Sequence, residues 1–342
     1  MGKLQGNRAA LTRRFTAWYA PAQSSGYLIM GYRLVAFFAW FCALAGPLAG
    51  ASGARAAGLE AVAPNVYVFP GQAGDANAGV VIGDQGVVVI DSGPTPEAAR
   101  RLAAEIKRLT PKPILYVVFT HAHGDHTLSV HELAPTKGII AHVYTKDYLA
   151  DHGAEHLKTY RERMGEAGVR GAKVTLPTIT FPDMYNIPLG KEHILLFYQG
   201  RGHTRGDIVA YLPKAHVLFT GDLVYAGRLP WMGDGYAKEW QETLDRLAVL
   251  DVTTIVPGHG QWGGRPVLTT FREYLTDLYS AVFVTWMIKR PIATAKKEVQ
   301  LPKYESWLKY KEWLPANVEK VYQDLVAESE GAPSYETMPP AQ

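Results

Sequence analysis

The stretch His121-Ala122-His123-Gly124-Asp125-His126 constrains this chain more than any other. Three imidazoles and a carboxylate fall on one short turn, and each of these side chains binds a divalent metal once deprotonated. The turn follows the apolar run Ile114-Leu115-Tyr116-Val117-Val118-Phe119, which reads as a buried strand of the parallel type. The potential ligands therefore leave the carboxyl end of a strand, where open α/β sheets place their sites. A solvated histidine tract has no rigid strand behind it and no complementary donors downstream.

Such donors do recur. Gly200-Arg201-Gly202-His203-Thr204-Arg205-Gly206-Asp207 is a Gly-rich loop centred on a histidine and preceded by the run Ile194 to Tyr198. Val217-Leu218-Phe219-Thr220-Gly221-Asp222 reads as a strand ending on a carboxylate, and Thr254-Ile255-Val256-Pro257-Gly258-His259-Gly260 as one ending on a histidine. Four strand ends thus deliver donors to one rim. In this order the set resembles the signature of the metallo-β-lactamase superfamily (H-x-H-x-D-H, then a His, a bridging acid and a last His) over about residues 60 to 265. The resemblance implies an α/β fold, a four-layer αβ/βα metallo-β-lactamase sandwich, here with a C-terminal helical extension.

Composition bounds the rest. A hydrophobic share of 47% and a charged share of 20% suit a globular enzyme rather than a disordered chain. The formal charge of +3 hides an asymmetry: residues 1–56 contain six basic residues and no acid, and the remainder carries 29 basic against 32 acidic groups. No basic patch argues for nucleic acid. Residues 1–56 read as an upstream extension plus a secretory signal peptide from Met30 to Ala56. Arg33 supplies the n-region charge, Leu34 to Leu48 the apolar h-region, and Ala54-Arg55-Ala56 the cleavage site. Either Met1 or Met30 is then the start. The one cysteine, Cys42, falls in that leader, so the mature chain is expected to have no disulfide and no thiolate chemistry. An exported protein, periplasmic or secreted, without stable membrane contact after cleavage, is the expectation.

Residues 57–265 read as the catalytic domain, 266–330 as C-terminal helices packed on it or capping it, and 331–342 as a disordered tail. Asn65–Phe69, Gly79–Ile82 and Gly86–Asp91 are expected as strands, with Gly71 to Asn77 either a flap or a plain hairpin connection. Helices are expected from Thr95 or Pro96 to Leu109, Thr127 to Leu133, Thr145 to Met164, Tyr236 to Leu250, Phe271 to Arg290 and Ala316 to Glu328. Strands near Thr178–Phe181, Ile194–Tyr198, Ile208–Leu212 and Val217–Phe219 are expected to form a second sheet. His131, His142, His152, His156, His193 and His216 match no ligand position and read as surface or packed histidines.

The resemblance further implies a dinuclear zinc hydrolase. His121, His123 and His203 would hold one ion and Asp125, His126 and His259 the other, with Asp222 bridging; iron and manganese are alternative occupants. A hydroxide between two ions about 3.5–4 Å apart would attack an ester, thioester, lactone or amide carbonyl. Asp125 and Asp222 are then the catalytic carboxylates, and Asp125 takes a minor part in proton transfer. Asp91 would support the ligand loop by hydrogen bonds, although from its position alone it reads equally as a turn residue. Tyr225, Trp231 and Met232 follow the bridging acid and are expected either on a substrate rim or in packing, for a small-molecule substrate. Three other readings stand beside this one. True β-lactamases usually carry Cys or Ser where Asp222 stands, which leaves at most weak β-lactam hydrolysis. Persulfide dioxygenases of the same fold bind one iron through a His-His-Asp subset. A non-catalytic binding protein would be favoured by a lost ligand, and none is lost. The oligomeric state is left open.

Overall fold

The computed structural model describes residues 58–330; the expected leader and tail lie outside the described residues. Two sheets carry the architecture. In the first, β1 (Glu60–Ala63), β2 (Val66–Phe69), β3 (Ala78–Ile82) and β4 (Val87–Ile90) run antiparallel, and β5 (Ile114–Val118), β6 (Gly138–His142) and β7 (Ile179–Phe181) continue from β4 in parallel. The second sheet is ordered β12 (Thr254–His259), β11 (Val217–Tyr225), β10 (Ile208–Leu212), β9 (Glu192–Tyr198), β8 (Met184–Leu189), with β11 and β12 parallel.

The burial pattern explains the layers. β4 is apolar on both faces (Val87, Val88, Val89, Ile90), and each of its four residues is buried. Val88 and Ile90 face an inter-sheet core with Val118, Ile140, Leu196, Ala210 and Phe219, while Val87 and Val89 face outward against Leu102 and Ile106 of α1 (Pro96–Leu109). Burying a Val or Ile side chain contributes about 1.5–3 kcal/mol, so a strand buried on both faces is a strong anchor for the ligand turns at its end. The outer face of the second sheet is covered by α4 (Ala237–Ala248), α5 (Pro266–Met287), α6 (Ile292–Glu298) and α7 (Tyr310–Ser329), whose Trp240, Phe271, Leu278, Val318 and Val321 share one core with Leu218 and Ile255. The result is the αβ/βα sandwich with added C-terminal helices.

Some elements depart from the sequence reading. The strand at 179–181 joins the first sheet, because the helix α3 (Val143–Gly168) carries the chain back over that sheet in a βαβ crossover and pairs β7 parallel to β6. Its expected place is taken by β8, whose exposed and buried residues alternate. The helix expected after the ligand turn is instead the single turn α2 (Gly124–Thr127) and a 3₁₀ segment, Val130–Leu133. β11 does not stop at Asp222 but runs on to Tyr225. Helix α7 starts at Tyr310 rather than the expected Ala316, and incorporates Trp313 and Pro315. Among the described residues, no helix is long and apolar enough to cross a membrane.

Candidate metal centre

The ligand turns converge at one edge of the sandwich. His121, His123, Asp125 and His126 leave β5, His203 lies in the β9–β10 loop, Asp222 is within β11 and His259 ends β12. Six of these seven residues are at most 7% exposed, and Asp125 is half-buried. Their ligating atoms fall into two groups: His121, His123, His203 and Asp222, and beside them Asp125, His126 and His259. The Asp222 carboxylate faces both. Its Oδ2 lies 3.7, 3.3 and 3.3 Å from Nε2 of His121, His203 and His259, and its Oδ1 lies 3.2 Å from Nε2 of His126. Gly258 leaves room for this: a Cβ there would come within 1.9 Å of Asp222 Oδ1.

The residues around the cluster select which atoms face it. Asp91, in the left-handed region at φ 61°, accepts from Thr120 N and Thr120 Oγ1 and takes the Nδ1 proton of His126, each at 2.8 Å. A carboxylate at Nδ1 fixes the proton there and leaves Nε2 free to bind. Asp234 does the reverse for His123: it takes the Nε2 proton at 2.9 Å, so that Nδ1 turns inward, 2.7 Å from His203 Nε2. His121 Nε2, His126 Nε2 and Asp222 Oδ1 are buried with no hydrogen-bond partner. Buried polar atoms without partners are costly, and an inward set of imidazole nitrogens and carboxylate oxygens is the donor chemistry of a zinc-type site. The cluster fits divalent metal.

Electrostatics agree with an arrangement built for cations. Burial and the neighbouring His126 push His121 well below the usual histidine range, and burial with His123 takes His203 down to about 3. For His259, burial is outweighed by Asp222 and Asp125, which raise it to about 9. Burial opposes the charge on Asp125 and Asp222, yet the surrounding imidazoles hold both carboxyls well below the ordinary range. Both are held as ionised carboxylates that accept from the surrounding imidazoles.

Three positions singled out in the sequence as a substrate rim are placed differently from one another. Trp231 is 40% exposed at the edge of Trp313. Met232 is fully buried in the apolar core, and Tyr225 is buried with its ring stacked on His259 and its hydroxyl donating to Asp222 Oδ2. Both pack rather than open on the cleft: Tyr225 because the chain after Asp222 stays in β11, Met232 because it joins the core around Leu229 and Trp240. Gly202 and Gly206 allow close packing against Leu223, Trp240 and Thr145. The Gly71–Asn77 loop is a pinned connection: Asn77 Nδ2 donates to Pro257 O and Gly260 O at 2.9 Å each.

Sequence reasoning missed two roles. Asp234 falls in the segment after Asp222 that the sequence sets along the cleft, but nothing in the sequence pairs it with His123. His156, read as an ordinary histidine, stacks on His123 (centroids 5.4 Å, 9° between planes) and accepts the Gly124 N–H at 2.9 Å; burial and His123 bring it to about 4, so it is neutral. Its signal was present: Tyr148, His152, His156 and Tyr160 recur every four residues and make one face of α3.

Asp207 gives a pH-dependent expectation. It caps the His203 loop by accepting from Thr204 N and Oγ1 at 2.8 and 2.6 Å, yet burial, the largest effect, raises it to about 7. An unfolded aspartate titrates at about 3.9. Between these values the folded chain binds the extra proton, so its contribution to stability is complete below about pH 4 and declines as pH rises to about 7. Asp207→Asn is expected to remove that slope. Melting temperatures of metal-free wild type and variant at pH 4.5 and 7.5 should converge at low pH and diverge, with the variant higher, at high pH; parallel curves would refute the assignment.

Comparison with known proteins places the geometry. A family profile described as the metallo-beta-lactamase superfamily matches residues 71–259. The metallo-beta-lactamase type 2 of Bacillus sp. (strain 170) is 28% identical over 207 residues, 58% of this chain and 72% of that protein. Among solved structures, a metallo-beta-lactamase from Pontibacter korlensis superposes with a TM-score of 0.53 at 24% identity, over 64% of this chain and 98% of that one. The stereoselective inverting sec-alkylsulfatase Pisa1 from Pseudomonas sp. superposes with a TM-score of 0.63 at 22% identity, over 83% of this chain. This chain spans about half (52%) of that alkylsulfatase. With a profile match over more than half its length, a shared fold and a buried His/Asp cluster on the matched segment, the chain belongs to the metallo-beta-lactamase superfamily and is a metal-dependent hydrolase.

Proposed function

We propose that this protein is an exported dinuclear zinc hydrolase acting on the carbonyl of an ester, thioester, lactone or amide. The observation that carries the reading is the Asp222 carboxylate, within 3.2–3.7 Å of imidazole nitrogens from both ligand groups. His121, His123 and His203 would hold one ion, Asp125, His126 and His259 the other, and Asp222 would belong to both. Zinc pairs supply Lewis acidity at the carbonyl and a water acidic enough to attack it near neutral pH. The chain's own residues hold that chemistry in place. Asp91 and Asp234 orient His126 and His123, Tyr225 holds the Asp222 carboxylate, and the buried wall of Trp240 against His203 limits water on that side. The leader composition, a basic start, an apolar run and an A-x-A site, supports export.

The test is metal content by mass spectrometry on the purified full chain, with a hydrolysis panel beside it. The panel holds a chromogenic cephalosporin, an acyl-homoserine lactone, a thioester, a phosphodiester and, because of the alkylsulfatase likeness, an alkyl sulfate. Two zinc ions per chain and turnover of a carbonyl substrate are expected. One iron per chain would overturn the reading in favour of an oxygenase. Turnover of the alkyl sulfate alone would keep the metals and replace the substrate class.

A further inference from the structure

Arg228 is a charged residue only 7% exposed, three positions beyond the end of β11, and the metal-site reading gives it no role. Its Nη1 donates to the Gly74 carbonyl and lies 3.3 Å from His259 Nδ1. The same carbonyl lies 3.0 Å from His259 Nδ1. A carbonyl oxygen only accepts, so Nδ1 of His259 carries a proton and Nε2 is the atom turned toward Asp125 and Asp222, 3.2 and 3.3 Å away. A guanidinium never accepts, so Arg228 and His259 are two donors sharing one acceptor. The Gly74 carbonyl thus decides which His259 nitrogen faces the metals, and Arg228 holds that carbonyl.

The other side of Arg228 belongs to the C-terminal extension. Its guanidinium lies over the Trp313 ring of α7, 4.8 Å from the centroid. Leu308 N–H donates to Gly227 O at 2.9 Å, and its carbonyl accepts from Leu229 N at 3.0 Å, which locks the segment beside residue 228. Leu308 also fills the space next to Gly74, where an added Cβ would meet its Cδ1 at 2.7 Å. Gly74 itself is at φ 83°, a left-handed state that glycine adopts without steric cost, and Leu308 leaves no room there for a side chain. A cation held against an aromatic face away from water is worth more than one at the surface, so Trp313 is a substantial restraint on the guanidinium.

We propose that Arg228 is a positioning residue for His259, and that the Leu308–Trp313 segment acts on the metal centre through it. This rests on the two-metal reading above for its metal readout but not for its structural one. The C-terminal helices are then a working part of the site at the ion held by Asp125, His126 and His259. Arg228 touches neither the other ligand group nor Asp222 in any hydrogen bond, so the effect is confined to one ion.

The experiment uses the full chain as wild type, Arg228→Ala, Arg228→Lys, Trp313→Ala and Trp313→Phe. Zinc affinity is measured by competition with a chromophoric chelator, melting temperature is recorded on metal-free protein, and the His259 Nδ1–H proton is followed in ¹⁵N-histidine-labelled samples. In wild type, two zinc steps and a slowly exchanging His259 Nδ1–H are expected. In Arg228→Ala and Trp313→Ala, one step should weaken on the order of 10–100-fold, the other should stay within about twofold, and the Nδ1–H proton should exchange freely. Trp313→Phe, which keeps a ring under the cation, should recover most of the affinity; Arg228→Lys, which cannot span carbonyl and ring with a planar fork, should not. Wild-type affinity with a protected Nδ1–H in Arg228→Ala would overturn the proposal. So would equal weakening of both steps in line with a lower melting temperature, the mark of general destabilisation. A single zinc step in wild type would sink the dinuclear reading, and the Nδ1–H exchange would still decide this one.

Discussion

Asp222→Ala is expected to cost one of two zinc equivalents and at least about 10³-fold in kcat/KM, on the order of 4 kcal/mol of transition-state stabilisation. The size follows from position. This carboxylate is 3% exposed, and four imidazole nitrogens lie within 3.7 Å of its oxygens. Removing it leaves His126 and His259, both raised by the surrounding carboxylates against burial, facing one another with less negative charge between them. Tyr225, buried and stacked on His259, loses its acceptor at the same time. Mass spectrometry for zinc and steady-state kinetics on the substrate identified by the panel check the prediction. Two retained zinc ions with wild-type turnover would refute the bridging role.

The second large effect is expected at a residue that touches no metal in this scheme. Asp91→Asn preserves volume and tolerates the left-handed backbone at φ 61°, where Asn is enriched. What changes is the hydrogen-bond inventory. The carboxylate accepts three bonds, and an amide accepts with only one of its two ends. If its oxygen serves Thr120 N, its NH₂ faces the His126 Nδ1–H, donor against donor. His126 must then turn away or move its proton to Nε2, the atom needed for metal. A 10–100-fold loss of affinity at the ion held by His126 is expected, with about 1–3 kcal/mol of stability lost to the unsatisfied buried group. For a domain of this size that is a melting shift of roughly 5 °C. Chelator competition and thermal melts measure both; an unchanged zinc affinity would show that Asp91 is only a turn residue.

The ligand set was legible because strand ends and metal chemistry are both local in sequence. An apolar run followed by His-x-His-x-Asp-His needs no partner to be recognised, and β5 with its turn forms as expected. Helix α1 was legible for the same reason: Thr95 caps it by accepting from Ala98 N at 3.2 Å, and Lys107 and Arg108 end it against the dipole. Sheet membership was not. Ile179–Phe181 is a short apolar segment whose partner is chosen by the path of α3, and three residues carry no information about that path. Tyr225 and Met232 were open between rim and packing because an aromatic or thioether side chain next to a site packs as readily as it binds; the continuation of β11 turned Tyr225 inward, and Met232, beyond the strand, joined the core around Leu229 and Trp240.

The sequence by itself determined the donors: which imidazoles and carboxylates the site can use, and on which strand ends they arrive, since residue type and strand period are properties of the chain alone. The tertiary structure decided their orientation. Asp234 on His123, Asp91 on His126, and Gly74 with Arg228 on His259 are separated from their histidines by 111, 35 and up to 185 residues. A histidine binds metal through the nitrogen that its other nitrogen's hydrogen bond leaves free, and only folding brings the acceptor that makes that choice.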